Sequence, residues 1–197
     1  MTAPLLSWTT ADGLSQVTNF DLGIVDAGSM SGEFEFLLWN NRRLVGVVNP
    51  AVGQEYGATN VSDVEDLTIT TKDSTGGTAS EVVLGKWLQV SAPDQDGANW
   101  FPVGYDGTLS TDVRHAVSST GQTTYTYDGD VAPTISEPNI GDHVSTNGTV
   151  SLLGVANDGT IANSKGNFVR VKFRASVPGT AVAGIKQFLV RSSYKYV

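Results

Sequence analysis

Residues 20–41, FDLGIVDAGSMSGEFEFLLWNN, contain the pattern that decides the fold. The apolar stretch 20–25 is followed by a glycine-centred turn at 27–29. From Glu33 to Trp39, large apolar side chains then recur at every second position, a period that is typical of a half-buried β-strand. This stretch predicts two strands in a hairpin-like arrangement, the second of which ends at the polar corner Asn40–Asn41.

The same kind of pattern recurs along the chain. Alternation is clear at 67–72, 168–175 and 185–197. Residues 81–91 are predicted to form one long strand, in which Val82, Leu84, Leu88 and Val90 share a face. Charged residues make up only 16% of the chain and there are 22 glycines, which suits short strands joined by tight turns. Such spacing predicts an all-β protein built as a β-sandwich. We expect the strands at 168–175 and 185–197 to pack with the opening stretch.

The middle of the sequence differs from both ends. Residues 93–147 are rich in Asp, Gly, Thr and Tyr, and their apolar runs are short. We therefore expect one domain, residues 1–197, in which 93–147 form an inserted loop or hairpin region. A second irregular stretch, 42–60, contains one proline and three glycines and is predicted to be a long loop.

Composition excludes several classes of function. The net charge is -8, whereas a protein that binds nucleic acid or an anionic membrane needs a basic face. The chain has no cysteine, so disulfides and thiolate metal sites are excluded. The opening MTAPLLSWTTADG lacks the features of a signal peptide, and we expect synthesis in a host cytoplasm without export.

Two short motifs resemble a known domain family. The phrase Leu22-Gly23-x-Val25-x-Ala27-Gly28-Ser29, and the strand that ends Trp39-Asn40-Asn41, resemble immunoglobulin-like domains of the ASPM–SPD-2–Hydin group. The turn Pro178-Gly179 and Ser192 after it match the last hairpin of those domains. This resemblance covers the first and last thirds of the chain. It implies an immunoglobulin-like β-sandwich with an elaborated middle insertion.

The whole chain also resembles small acidic structural proteins of tailed bacteriophages and prophages. The phrases that carry this likeness are VDAGSMSGEFEFLLWNN, TITTKDSTGG and ANDGTIANSKGNF. It implies a virion component, either a capsid decoration protein or a part of the tail or baseplate. The expected partners are phage capsid or tail proteins and further copies of the chain, for instance in a trimer.

The histidines do not form a recognisable catalytic motif. His115 and His143 both lie in the middle region, and no G-x-S-x-G nucleophile motif accompanies them. We expect surface or turn roles for both, and therefore no enzymatic activity and no cofactor.

Acidic side chains offer one weak metal site. Asp94, Asp96 and Asn99 belong to an oxygen-rich segment, and calcium prefers six to eight oxygen ligands. The segment lacks the bidentate glutamate of an EF-hand, since Tyr105 stands at that position. Asx-turns explain the same residues without a metal, so no metal is predicted and these three remain a weak candidate.

Aromatic and basic residues supply the candidate binding positions. Trp8, Trp39 and Trp87 fall within strand patterns, and we expect them in the core. Aromatic side chains in the polar middle region are suited to stacking on a sugar or to anchoring a protein interface, although a small local core explains them equally well. Arginines at the polar corner are suited to pairing with acidic neighbours, with solvation as the alternative. The candidate binding residues are Arg42, Arg43, Trp100, Phe101, Tyr105, Tyr125 and Tyr127.

These observations favour a non-enzymatic phage virion protein that decorates and stabilises the capsid by binding its lattice. The alternative is a carbohydrate- or receptor-binding module of the tail or baseplate.

Overall fold

The computed structural model describes residues 2–51, 53–117 and 150–196. Strands account for 39% of the model and helices for 6%, which confirms the predicted all-β class. No helix within these ranges is long and apolar enough to cross a membrane. The strands are β1 Leu6–Thr10, β2 Phe34–Asn40, β3 Val48–Asn49, β4 Gln54–Glu55, β5 Val64–Asp73, β6 Leu88–Ser91, β7 Phe101–Pro102, β8 Gly104–Asp106, β9 Thr111–Val113, β10 His115–Ala116, β11 Val150–Leu152, β12 Phe168–Ala175 and β13 Phe188–Tyr196. The helical segments are α1 Glu81–Leu84, α2 Pro93–Asp96 and a 3-10 helix at Lys165–Asn167.

The first sheet has the strand order β1-β2-β12-β6-β7, and all of its neighbouring strands are antiparallel. β2 lies between β1 and β12, with Trp39 opposite Ser7 on one side and Phe168 on the other. The last third of the chain therefore pairs directly with the opening stretch, as the sequence predicted for 168–175.

The second sheet is built around β5, which pairs with β13 along its whole length. Ile69 pairs with both His115 of β10 and Ser192 of β13, and Glu65 pairs with both Val150 of β11 and Lys195. Because a strand has only two sides, β10 and β11 both lie on the side of β5 opposite β13. Two further hairpins, β3–β4 and β8–β9, lie outside these sheets.

One hydrophobic core is shared by the two sheets. It contains buried side chains of β2, β6 and β12 from the first sheet and of β5 and β11 from the second. The alternation predicted for β12 is confirmed, because Val169, Val171 and Phe173 are buried in this core. Trp39 and Trp87 are buried and Trp8 packs against the core, as the sequence predicted.

The predicted opening hairpin is wrong. Residues 20–25 form no strand, and β2 pairs with β1 and β12 instead. The first part of the stretch is attached by side chains, since the Phe20 ring packs 5.1 Å from Phe36 and 5.5 Å from Phe173. The strand predicted at 185–197 is β13, which starts at Phe188 and belongs to the second sheet.

The single strand predicted for 81–91 is also wrong. Residues 81–84 form α1, and only β6 at 88–91 is extended. Val82 and Val83 are both buried. Two adjacent residues can both be buried on a helix of one turn, whereas in a strand with one covered face their side chains would point to opposite faces. Lys86 then adopts a φ of 52°, which ends the helix and redirects the chain.

Buried amide side chains fix the loops at one end of the first sheet. The Asn41 Nδ2 atom donates to the carbonyls of Thr59, Gly154 and Val155 at 2.8–3.2 Å. Asn167 Nδ2 donates in the same way to the carbonyls of Asn40, Leu153 and Val155. We call the group Asn40, Asn41, Asn157 and Asn167 the asparagine corner. It satisfies backbone carbonyls where the chain leaves the sheets, because buried carbonyls without partners are costly.

Candidate functional site

Two aromatic residues of the predicted binding set lie together beside the edge of the first sheet. Phe101 belongs to the edge strand β7 and stacks on the His115 ring, with centroids 4.0 Å apart and planes 8° apart. Trp100 precedes β7, and the Arg174 guanidinium lies 4.2 Å from its ring centroid. Phe101 is 37% exposed. In the register of β12, β6 and β7, Phe101 lies on the same face as Val90 and Phe173, whereas Arg174 lies on the opposite face. The polar and aromatic patch at this sheet edge, which we define as Trp100, Phe101, His115 and Arg174, therefore includes residues from both faces.

His115 forms a pair with Asp96 under this patch. His115 Nε2 lies 2.7 Å from Asp96 Oδ2, and that oxygen also accepts a hydrogen bond from the Ala92 N–H at 2.7 Å. Both side chains are largely buried, at 12% and 5% exposed. A hydrolytic triad also needs a hydroxyl on the histidine. Within the described ranges, the hydrogen bond and the ring stacking of His115 involve Asp96 and Phe101 and no hydroxyl. His143 lies outside these ranges.

The weak metal candidate is divided between separate contacts. Asp94 and Asp96 belong to α2, where the sequence predicted a turn. Asp96 binds His115, whereas Asp94 faces Arg170 with an Oδ2–Nε distance of 4.0 Å. Burial raises the pKa of Asp94, although Arg170 acts in the opposite direction. Asn99 turns back to donate to the Asp96 carbonyl. No three acidic, histidine or cysteine side chains of the described residues are grouped so that they could hold a metal ion.

Tyr105 lies in the β8–β9 hairpin, on the outer face of β5. Its ring centroid is 5.6 Å from the Lys72 ammonium, which is paired with Asp112. Burial acts to raise the pKa of Asp112, but hydrogen bonds from Lys72 and Arg114 hold that pKa below its usual value. These contacts attach the hairpin to the sheet. The predicted binding residues Tyr125 and Tyr127 lie outside the described residues.

Arg42 and Arg43 make contacts within their own chain. Arg42 donates to the Gly13 carbonyl at 2.5 Å and lies 5.8 Å from the Trp39 ring centroid, and burial lowers its pKa. Arg43 is paired with Glu55 of β4 at 2.5 Å. Both arginines thus stabilise the 42–60 loop and the corner beside it. Their predicted role in binding a partner stays a prediction.

A large cleft lies where sequence reasoning did not place a site. Its walls are two irregular segments, which we call the first arm (17–27) and the second arm (181–187), and its volume is about 1110 Å³. Side chains of the core line it between the arms, among them Trp8, Trp87 and Phe173. We call this feature the arm cleft.

Both arms are attached to the domain at defined points. Just beyond the first arm, Gly28 N–H donates to Val177 O, and Val177 N–H donates to Ser29 O, both at 2.9 Å. Lys186 of the second arm forms an ion pair with Glu81 of α1, which also accepts a hydrogen bond from the Val182 N–H. The arms are therefore held in place without belonging to a sheet.

The arms expose large apolar side chains. Ile24 is 102% exposed and Ile185 is 93% exposed, while Val182 is 69% exposed. Isolated exposed apolar residues are ordinary, but several beside an apolar cleft mark an interaction surface. The sequence contained one signal for this arrangement, because Gly23 interrupts the apolar stretch 20–25 that we interpreted as a strand.

Comparison of the chain with protein-family models, with curated proteins and with solved structures found no match.

Proposed function

We propose that this chain is a non-enzymatic structural protein of a phage virion, and that it decorates the capsid by binding the capsid lattice through the arm cleft. In this proposal the two sheets form an immunoglobulin-like β-sandwich, to which residues 93–117 contribute β7 and β10, while the remainder of the predicted insertion, 118–147, lies outside the described residues. Two antiparallel sheets with one shared core support that architecture. An experimental structure with a different arrangement of the two sheets would overturn it.

The observation that carries the functional proposal is the exposed apolar surface of the arms. Ile24, Val182 and Ile185 give nothing to the core, yet the chain holds them in place beside a cleft of about 1110 Å³. A partner segment that enters the cleft would bury these side chains together with the cleft walls, at about 25 cal/mol per Å² of apolar surface. Weak attachment of each copy is sufficient on a repeating lattice, because copies that also contact one another gain avidity.

The first experiment asks whether the chain is part of the particle. Virions of the phage or prophage that encodes the chain are purified on a density gradient and analysed by mass spectrometry. The proposal expects the chain in a fixed stoichiometry to the major capsid protein. Its absence from particles, in a lysate where it is expressed, would overturn the proposal.

The second experiment asks whether the arms make the attachment. Particles that lack the chain are incubated with the wild-type protein or with the double variant Ile24→Ser, Ile185→Ser, and bound protein is measured after sedimentation. We expect binding to weaken by at least roughly tenfold, since two buried aliphatic side chains contribute more than 1.4 kcal/mol. The matched control is Val45→Ser, Leu109→Ser, which removes two apolar residues that are 79% and 70% exposed on other loops. Equal binding by both variants would exclude the arms.

A specific observation also supports the alternative, a carbohydrate- or receptor-binding module. The polar and aromatic patch presents Phe101 at a sheet edge, with Trp100 and charged residues of β12 next to it. A glycan array with and without a chelator tests this function. Binding that is lost in Trp100→Ala and Phe101→Ala would favour it over capsid decoration.

A further inference from the structure

The strand β13 forms a long edge of the second sheet. It runs over nine residues, Phe188–Tyr196, and within the described ranges it pairs only with β5. The strands β10 and β11 lie on the far side of β5, so no strand of the described residues pairs with the outer edge of β13. A long edge strand presents a row of unpaired N–H and C=O groups, which are suited to pairing with another strand.

The outer edge of β13 is regular enough to pair. Its register with β5 changes from Ser193 opposite Thr68 to Lys195 opposite Glu65. Between these two pairs the chain advances by three residues in β5 but by two residues in β13. The register shift is therefore a β-bulge whose extra residue lies in β5. Asp66 has a φ of 49°, which accounts for the bulge on that strand. β13 itself therefore alternates without interruption.

The two faces of β13 differ in chemistry. Phe188 and Val190 pack against the core, so even-numbered side chains face the core side of the sheet. Tyr194 and Tyr196 continue this series and are 39% and 58% exposed, with ring centroids 6.5 Å apart. The odd-numbered positions carry both cations of the strand, Arg191 and Lys195, on the opposite face.

Self-pairing of this strand has one favourable register. We consider a sheet formed by two copies whose cores lie on the same side. An even-numbered residue of one β13 must then lie opposite an even-numbered residue of the other, so the allowed registers differ by two residues. With Ser192 opposite Ser192 of a second copy, all nine residues pair and Arg191 faces Ser193. Shifting the second copy by two residues in one direction places Arg191 opposite Arg191 of that copy. Shifting it by two residues in the other direction places Arg191 opposite Lys195. Like charges directly opposite each other are destabilising.

The favoured register also places aromatic side chains together. It brings Phe188 opposite Tyr196 and Val190 opposite Tyr194, and pairs of aromatic and β-branched residues stabilise antiparallel strands. Leu189, 47% exposed, would lie against the stem of Lys195. The sequence of the strand is thus complementary to itself in the antiparallel direction.

We propose that β13 is a self-association surface, on which two copies of the chain join edge to edge and antiparallel with Ser192 at the two-fold axis. The two second sheets then become one continuous sheet across the dimer. This assignment does not depend on the proposed virion function. A two-fold contact also gives an even-numbered assembly, so the trimer considered from the resemblance would need a different surface.

A single cysteine tests the register. The chain has no cysteine, so Ser192→Cys carries one thiol, and in the proposed dimer the two thiols face each other within disulfide distance. Under mild oxidation we expect most of the protein to migrate as a covalent dimer on non-reducing electrophoresis. The control Thr108→Cys, at an exposed position between β8 and β9, should remain mostly monomeric. Equal cross-linking of the two variants would overturn the register.

Charge at the facing position tests the contact without a covalent bond. Ser193→Lys places a cation opposite Arg191 twice in each dimer, and we expect the dimer Kd in analytical ultracentrifugation to rise roughly 2- to 30-fold. Ser193→Glu should lower it by a similar factor. Circular dichroism and thermal unfolding check that both variants fold. A wild-type chain that is monomeric at about 100 µM, or two variants that change the Kd in the same direction, would overturn the proposal. Neither result bears on whether the chain is present in virions.

Discussion

The asparagine corner buries polar side chains, whereas the arms of the arm cleft expose apolar side chains. At the corner, the amides of Asn41 and Asn167 are only 1% and 0% exposed. On the arms, Ile24 and Ile185 are 102% and 93% exposed. Burial of polar groups opposes folding unless hydrogen bonds compensate, whereas apolar groups that stay in water contribute nothing to folding. At the corner, hydrogen bonds within the chain compensate, whereas the described residues provide nothing comparable for the arms.

This difference separates stability from function in the molecule. The corner joins segments that are far apart in sequence, since Asn41 and Gly154 are 113 positions apart. Changes there should alter the free energy of unfolding. Changes on the arms should alter binding and leave the free energy of unfolding nearly unchanged.

Of the two regions compared, the corner should show the larger effect on stability, and Asn41→Ala tests it. This substitution removes one donor from each of three carbonyls, of which Gly154 O and Val155 O keep others, and places alanine at a φ of 60°, which asparagine tolerates better. We expect a loss of about 3 kcal/mol in the free energy of unfolding, seen as a Tm lower by roughly 6–12 °C. The comparison variant Asn41→Asp keeps the shape of the side chain but places a carboxylate oxygen, which is an acceptor, against the three carbonyls. Its loss in the free energy of unfolding should therefore be at least as large. A loss below about 1 kcal/mol in both variants would mean that the corner is not a source of stability.

A pair of glycines offers a matched test of the same contrast. Gly57 and Gly23 have almost equal φ values, 70° and 75°, so alanine is strained to a similar degree at either position. An added Cβ at Gly57 would overlap the Arg43 backbone, whereas at Gly23 it meets nothing within 4 Å. We expect Gly57→Ala to lower the free energy of unfolding by at least about 2 kcal/mol more than Gly23→Ala, measured by urea denaturation. Equal losses would show that the loop at Gly57 moves aside readily.

The elements that sequence reasoning found are those with local periodicity. Alternation at 168–175 and 67–72 is visible in any window of six residues, and it gave β12 and the core face of β5. The stretch 81–91 was misinterpreted because Val82 and Val83 are buried by tertiary packing, which a period of two does not describe.

The candidate site was less predictable for a related reason. Trp100 and Phe101 were singled out as aromatics of the polar middle region, but their partners Arg174 and His115 lie on other strands. The arm cleft was missed because Ile24 and Ile185 occur in apolar stretches that resemble strands. Whether such a stretch pairs or remains apart depends on the strands around it, and no local pattern encodes that.

A smaller effect is expected at Asp158, in the loop next to the corner. A hydrogen bond from Asn163 lowers the pKa of Asp158 below its ordinary value. Burial acts in the opposite direction, and hydrogen bonds from Thr160 lower the pKa further. A carboxylate with a lowered pKa stabilises the fold above its unfolded pKa, and this contribution is lost as the pH falls through the lowered value. Asp158→Asn should therefore cost less than about 1 kcal/mol at pH 7, because the site is exposed to solvent. The difference from wild type should shrink as the pH falls through the lowered pKa and be smallest at the acidic end of the range, as thermal unfolding across the pH range would show. A difference in stability that persists at the lowest pH would mean that Asp158→Asn acts through the shape of the side chain rather than through its charge.

The smallest effect on stability is expected from the arm variant Ile24→Ser, Ile185→Ser. Because both side chains are already in water, the free energy of unfolding should remain within about 0.5 kcal/mol of wild type. Ile69→Ser, at a position that is 0% exposed in β5, should instead cost several kcal/mol in the same urea titration. A loss above about 1 kcal/mol in the arm variant would show that the arms pack on the domain and would remove the contrast with the corner. If stability is unchanged while binding to particles is lost, the apolar surface of the arms stabilises a complex rather than the isolated fold.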